Sequence, residues 1–228
     1  MTSYTPGFAL LATYLCVAGA QILLAEGKER GEKFPNYTPP PRVELKTYLE
    51  TRPFLGKYQD GWKFASTNKT AHLYLRSYEH DLMYGNDSKC VKSTTLDVQP
   101  DVITKDFSYI DNSHTNVHFV AYFRRGCSAG YNVTNVLIGT YEHDKTDGYP
   151  YPMVFSDYKS CAIIRVPHYE KTNGGQPACQ LWVLGDHVKD IRSCCYFVYE
   201  LLCGPQKYKI YDEDKCNYEE KHDVEVEE

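Results

Sequence analysis

From residue 71 onward, apolar and polar positions alternate over short segments, which is the period-2 pattern of strands with one buried face. Runs of turn-forming residues separate these segments, as in YGND (residues 84–87), DNS (111–113) and TNGG (172–175). Eight short strands at regular spacing favour an antiparallel barrel or sandwich. The predicted strands are AHLYLRSY, CVKSTTLDV, TKDFSYI, NVHFVAYF, YNVTNVLIGTY, YPMVFSDY, CAIIRVP and QLWVL.

The segments on either side of the strands have the apolar spacing of helices. Residues 45–64 predict one or two short helices with a break at Pro53. Residues 186–202 predict a longer helix, whose apolar stripe is Val188, Ile191, Cys195, Val198 and Leu202. KYKIY (207–211) predicts a last short strand. A barrel of about eight strands is wide enough to hold one small ligand.

Composition narrows the class of protein. The length of 228 residues argues for one domain, and 42% apolar with 24% charged residues is typical of a globular chain. Twenty-one Tyr fit a β-rich protein with a pocket.

The formal charge of −5 resides in residues 217–228, an acidic tail that we predict to be disordered, so the rest of the chain is neutral. A neutral body lacks the basic footprint of a nucleic-acid binder, which excludes that class.

The N-terminal segment predicts export. Residues 8–25 form an uncharged apolar run that contains the small residues Ala18, Gly19 and Ala20, as in a signal peptide. We predict a signal over residues 1–25, cleaved after Ala20 or Ala25, although no Lys or Arg precedes it; an uncleaved anchor is the alternative. The Gly- and Pro-rich residues 26–43 predict a flexible arm. The folded domain is then expected over residues 44–216.

The cysteines and glycosylation sequons agree with export. Removal of the signal takes Cys16 and leaves eight of nine Cys, an even number that is typical of a disulfide framework. Zinc is the rival interpretation, but no C-x-x-C pair is present. The candidate glycosylation sites are Asn68, Asn86, Asn132 and, less favourably because Pro39 follows it, Asn36.

Two motifs carry a resemblance to a known family. CAI (residues 161–163) is followed after 16 residues by QLW (180–182) and after 11 more by Cys194. SYEHDLMYGNDSKC (77–90) is the second motif. Both resemble the tick salivary histamine-binding lipocalins, whose pattern at the first motif is Cys-Asp-[Val/Ile/Leu], Glu-Leu-[Trp/Tyr] and Cys. The likeness extends from about residue 60 to residue 216. It implies an eight-stranded antiparallel lipocalin barrel, disulfide-stapled, with an N-terminal and a C-terminal helix packed outside.

The resemblance also implies two disulfide bonds. Cys90 is expected to join the barrel to the C-terminal segment at Cys216. Cys161 is expected to bridge to the following helix, at Cys195 rather than at Cys194. The pairing among Cys127, Cys179, Cys194 and Cys203 stays open.

The predicted ligand site departs from the family. Histamine carries an ammonium group at neutral pH, and burying that charge requires carboxylates. Of four cavity acids that the resemblance implies, only Asp81 is present; Ala162, Gln180 and Tyr122 occupy the other three positions. Ala162 and Ile164 suggest an apolar wall instead. The predicted ligand-binding residues are Tyr78, Asp81, Tyr84, Tyr122, Ala162, Ile164, Gln180 and Trp182.

We therefore expect a secreted, monomeric protein that sequesters a small host inflammatory or haemostatic mediator, with a lipid or neutral ligand favoured over a biogenic amine such as histamine or serotonin. The alternative class is an immune-evasion module that binds a host immune protein through its exterior loops. His114 and His118 are spaced as two positions on one face of a strand, but no third metal ligand is evident, so no metal is predicted. No catalytic or nucleotide-binding motif is present, so neither an enzyme nor a cofactor is predicted.

Overall fold

The alternating segments form the strands of one closed antiparallel sheet. The computed structural model describes residues 48, 50–145 and 147–216, so the predicted signal, arm and tail lie outside the described residues. Each strand pairs with the next, β8 pairs with β1, and β1 pairs with β2, which closes an eight-stranded barrel as predicted. The strands are β1 (Ala71–Arg76), β2 (Lys89–Val98), β3 (Val102–Ile110), β4 (Asn116–Gly126), β5 (Val136–Thr140), β6 (Tyr149–Ser156), β7 (Cys161–Arg165) and β8 (Cys179–Leu184). A two-residue strand, β9 (Tyr208–Lys209), pairs with β1.

The barrel wall separates two apolar clusters. Because side chains alternate along a strand, one set of positions faces the lumen and the other faces outward. The lumen cluster draws residues from all eight strands, among them Leu73, Phe107 and Trp182. The outer cluster covers only part of the wall, on β1, β6, β7 and β8.

Short helices cover one end of the barrel, called here the closed end. A 3-10 helix spans Pro53–Tyr58, and helix α1 spans Gly61–Ala65. The side chain of Asp60 caps α1 by accepting from the Lys63 amide at 3.1 Å. Phe64 and Ala65 reach into the lumen cluster. The prediction of one or two short helices is therefore confirmed, and the side chains of α1 close this end of the barrel.

The late helix is shorter than predicted. The expectation of a helix over 186–202 was wrong at its start, because α2 spans Ser193–Cys203. Gly185–His187 form a 3-10 turn instead, and the amide of Gly185 donates to the carbonyl of Thr70 at 2.9 Å, which ties this segment to the start of β1. Val188 and Ile191 still pack on the outer cluster, but from outside the helix.

Disulfide bonds join this helix and the C-terminal segment to the barrel. Cys90 pairs with Cys216 and Cys161 with Cys195, as the resemblance implies. A third bond, Cys179–Cys203, comes from the four cysteines whose pairing the sequence left open. The buried face of α2 is consequently Cys195, Tyr199 and Cys203, spaced four residues apart. Within residues 48–216 as far as they are described, no helix is both long and apolar enough to cross a membrane.

Candidate functional site

The end of the barrel opposite α1, called here the mouth, is formed by the connections between strands. Residues 77–88 connect β1 to β2, and residues 166–178 connect β7 to β8. The first connection contributes Asp81, and the second contributes Tyr169. The two loops meet over the lumen, so residues far apart in the sequence share one site.

Asp81 is the centre of a buried polar cluster. Its side chain is 0% exposed. Oδ2 accepts hydrogen bonds from the Tyr78 hydroxyl at 2.6 Å and from the Gln180 amide at 3.2 Å. Oδ1 accepts from the Tyr169 hydroxyl at 3.0 Å and from the Met83 backbone amide at 3.1 Å. A carboxylate offers about four acceptor sites, so the four neutral donors saturate it.

The local backbone holds Asp81 in this place. Its side chain caps a one-turn 3-10 helix, Leu82–Tyr84, and its backbone forms an isolated bridge with Asn86. Gly85 ends the turn with φ +66°, and a Cβ there would lie 2.5 Å from the Tyr109 ring. The Arg76 guanidinium donates to the carbonyl of Asn86 at 2.8 Å. These bonds direct the Asp81 carboxylate inward.

Gln180 and Trp182 extend the cluster along β8. The Gln180 amide also donates to the Tyr78 hydroxyl at 2.6 Å. Its carbonyl oxygen accepts from the Trp182 indole N–H at 2.9 Å. The chain of bonds therefore runs from the mouth to the aromatic wall of the lumen.

Aromatic rings line the lumen below the polar cluster. Tyr84 and Phe107 each contact Phe119 and Trp182 as well as each other, with ring centroids 5.3–6.2 Å apart. These rings pack across the barrel, so a ligand that enters must contact or displace them. Next to the polar cluster the lining is thus aromatic, and Asp81 is the one carboxylate that the described residues bring to it.

Burial keeps the tyrosine hydroxyls protonated. It raises the pKa of Tyr78 well above its ordinary value, and the nearby Asp81 charge raises it further. Burial likewise raises the pKa of Tyr84 and of Tyr151. Burial lowers the pKa of His168, whose ring lies tilted against those of Tyr149 and Tyr169 with centroids 4.5 Å from each. The groups around Asp81 are therefore neutral at physiological pH.

The structure brings together most of the residues that the sequence singled out. Tyr78, Asp81, Gln180 and Trp182 form the bonded cluster, and Tyr84 packs on Trp182. Ala162 and Ile164 lie in the lumen wall, where they pair with Trp182 and Gln180 across β7 and β8.

Tyr122 does not join them. Phe119, Ala121 and Phe123 of β4 face the lumen, so Tyr122 falls on the outer face, where its ring meets His143 with centroids 5.0 Å apart. The alignment placed the cavity position at Tyr122, whereas its neighbours Ala121 and Phe123 face the lumen. A shift of one residue along a strand exchanges the inner and the outer face.

Sequence reasoning missed Tyr169, Met83 and His168. Tyr169 lies 88 residues from Asp81 and comes from a long connection without a periodic pattern, so no local signal marks it. Met83 acts through its backbone amide, which any residue type provides.

Two other features lie away from the polar cluster: the glycosylation sites and a small cavity. Asn68 and Asn132 are exposed, whereas Asn86 is half-buried; Asn36 lies outside the described residues. A cavity of about 30 Å³ lies among Glu50, Gln59 and Tyr131. That volume holds a water molecule, not a mediator.

Comparison with known proteins gives consistent matches. The family model for tick histamine binding proteins matches residues 49–218. The male-specific histamine-binding salivary protein of Rhipicephalus appendiculatus is 25% identical over 175 residues, which cover 71% of this chain and 83% of that protein. Among solved structures, Japanin from Rhipicephalus appendiculatus bound to cholesterol matches with a TM-score of 0.47 and 17% identity over 66% of this chain and 97% of its own. Lobster apocrustacyanin A1 matches with a TM-score of 0.48 and 12% identity over 82% of this chain and 98% of its own.

Proposed function

Because this chain belongs to the tick histamine-binding protein family, we propose that it is an exported salivary protein that binds and sequesters a small host mediator in its barrel. We propose further that the mediator is a lipid or a neutral ligand. Its mechanism is stoichiometric capture, which requires tight binding or abundance. The predicted signal segment and the three disulfide bonds support export.

The main support for a lipid or neutral ligand is that the Asp81 carboxylate already accepts as many hydrogen bonds as it can. Four neutral donors already satisfy the carboxylate, so an entering ammonium group must displace Tyr169 or Gln180 to reach it. Ala162, in the lumen wall, supplies no second acid. Charge-assisted hydrogen bonds contribute roughly 1.5–3 kcal/mol each, so the missing acids weaken amine binding by several kcal/mol. The aromatic lumen offers apolar contact instead.

A biogenic amine is the second candidate, and one observation favours it. Asp81 is fully buried, yet no Lys or Arg forms an ion pair with it among the described residues. Tyr78 and Tyr169 stack beside it with centroids 4.8 Å apart, and aromatic faces attract cations. A bound amine could therefore contact the Asp81 carboxylate and the rings of Tyr78 and Tyr169.

Tryptophan emission distinguishes the two candidates, because Trp182 lies in the lumen wall and contacts Tyr84. The experiment uses the secreted, oxidised Trp62→Phe variant, in which Trp182 is the one remaining tryptophan of the sequence. This variant is titrated with arachidonic acid, cholesterol and histamine. We expect a saturating change with at least one lipid at micromolar concentration or below, and none with histamine up to about millimolar.

Calorimetry of the unmodified protein provides the control, since it does not depend on the reporter residue. Nanomolar histamine binding in both measurements would overturn the preference for a lipid. Absence of any response to the lipids and to histamine would overturn small-molecule capture and favour the protein-binding alternative.

A further inference from the structure

A second polar position lies inside the barrel, toward the closed end. Lys105 of β3 is buried, and its Nζ donates to the carbonyl of Ala65 at 3.0 Å and to the Thr95 hydroxyl at 2.8 Å. Its neighbour across β4 is Ala121, a member of the lumen cluster, so Lys105 is on the inner face. The described residues include no acid in ion-pair contact with Lys105.

This ammonium group is a buried cation with only neutral partners. Burial alone lowers its pKa to about 8, because no carboxylate opposes the loss of hydration. An ammonium group has three N–H donors, and Ala65 and Thr95 account for two of them. One donor and one positive charge therefore remain for another group.

Ser93 supplies a second, independent sign of a missing partner. Its side chain is 2% exposed, and its Oγ is buried without a hydrogen-bond partner among the described residues. Ser93 pairs with Ala71 on one side and with Phe107 on the other, and both face the lumen. It lies two positions from Thr95 on the same face of β2, which places it beside Lys105.

The surroundings of these two groups are apolar. Ala71, Ile103, Phe107 and Ala121 flank them in the lumen cluster. Leu184 of β8 pairs with Ala71, and Ala71 pairs with Ser93, so these three residues lie at one level of the barrel. Gln180, which contacts Asp81, lies four residues from Leu184 along β8. At about 3.3 Å per residue, the polar group at the mouth and the one at the closed end are roughly 13 Å apart.

We infer that Lys105 and Ser93 form the head-group subsite for an amphiphilic organic monoanion, whose carboxylate accepts from the Lys105 ammonium and the Ser93 hydroxyl while its apolar body lies along the aromatic lumen. One cation matches a singly charged head, and two donors match the two oxygens of a carboxylate. The apolar walls exclude a small hydrophilic anion, since it would leave them without contact. This inference rests on the proposed function, because it assumes that the lumen admits a ligand.

A pair of ligands that differ only in the head tests the subsite. Arachidonic acid and arachidonyl alcohol share a tail, and only the acid carries a charge. We expect the native, oxidised protein to bind the acid about 10- to 100-fold more tightly in calorimetric titration at pH 7. Lys105→Met is expected to remove that preference and to leave the affinity for the alcohol unchanged. Ser93→Ala is expected to weaken the acid alone, by about 3- to 10-fold.

Lys92→Met is the matched control, because Lys92 pairs with His72 and Ser108 on the outer face of β2. It should leave both affinities unchanged. Equal binding of acid and alcohol by the native protein, or a preference that survives in Lys105→Met, would overturn the subsite while lumen binding stands. Failure of both ligands to bind would overturn the subsite and the lipid proposal together. If Lys105→Met does not fold, the native head-group preference and Ser93→Ala decide.

Discussion

The side-chain amide of Gln180 donates to the carboxylate of Asp81 at 3.2 Å, inside a barrel where both side chains are buried. The sequence motifs place a glutamate of the family at position 180 and an aspartate at position 81. The kept acid and the lost acid are therefore direct neighbours. A glutamate at position 180 would place a second negative charge next to Asp81, whereas the glutamine present here forms a hydrogen bond with it.

Restoring the lost acids is expected to create amine affinity. The double variant Ala162→Asp with Gln180→Glu should bind histamine at least 10-fold more tightly than the native protein in calorimetric titration, because it returns two acceptors for the ammonium group. Its ligand-free form should unfold more easily, by roughly 3 kcal/mol, since three buried acids repel one another. Tyr122→Glu is the control, because it adds one charge on the outer face. No gain in affinity by the double variant would contradict the charge argument.

Removing the remaining acid separates the two ligand classes. Asp81→Asn should abolish any amine binding, whereas binding of a lipid should change by less than about threefold, because the lipid is held by the lumen walls. Thermal unfolding should show a loss of roughly 1–3 kcal/mol, since Asn leaves some of the four donors without an acceptor. Asp106→Asn on the outer face, beside His118, is the control. A large loss of lipid affinity would mean that Asp81 contacts the lipid directly.

The barrel was predictable because strand signals are local properties of the chain: buried and half-buried positions alternate at the start of β1, and β7 is a short, fully buried run bounded by turn residues. Asp81 and Gln180 were found through motifs. The bond from Tyr169 to Asp81 was not predictable, because it depends on how two mouth loops meet. The error at Tyr122 has the same origin, since the strand register decides which face a residue occupies and the sequence motif did not fix it.

The third disulfide bond should contribute measurably to stability. Replacing Cys179 and Cys203 together by Ala is expected to lower the free energy of unfolding by about 3 kcal/mol in urea titration, because the bond closes a loop with a sequence separation of 24 residues. Replacing Cys90 and Cys216 should cost about 1.5 kcal/mol more, since their separation is 126 residues. An unchanged midpoint for the Cys179 and Cys203 variant would show that this bond does not form.

Lys105 predicts a specific pH dependence of stability. Its pKa is lowered to about 8 by burial, while the unfolded chain keeps the ordinary value near 10.5. Between these values the unfolded chain holds a proton that the folded chain has released, so stability rises with pH. Relative to Lys105→Met, the native protein should gain about 2 kcal/mol between pH 8 and pH 9.5 in urea unfolding. A pH-independent difference would mean that Lys105 stays charged when folded.

The two disulfide bonds of α2 give the barrel a mechanical asymmetry. Cys161–Cys195 and Cys179–Cys203 fasten one helix across β7 and β8, so these adjacent strands cannot separate without carrying the helix along. The part of the wall formed by β3, β4 and β5 has no such brace within the described residues. We therefore expect the lumen to widen for a bulky ligand on that side and at the mouth. The braced strands β7 and β8 should move least, so Gln180 and Trp182 should keep their positions when a ligand enters.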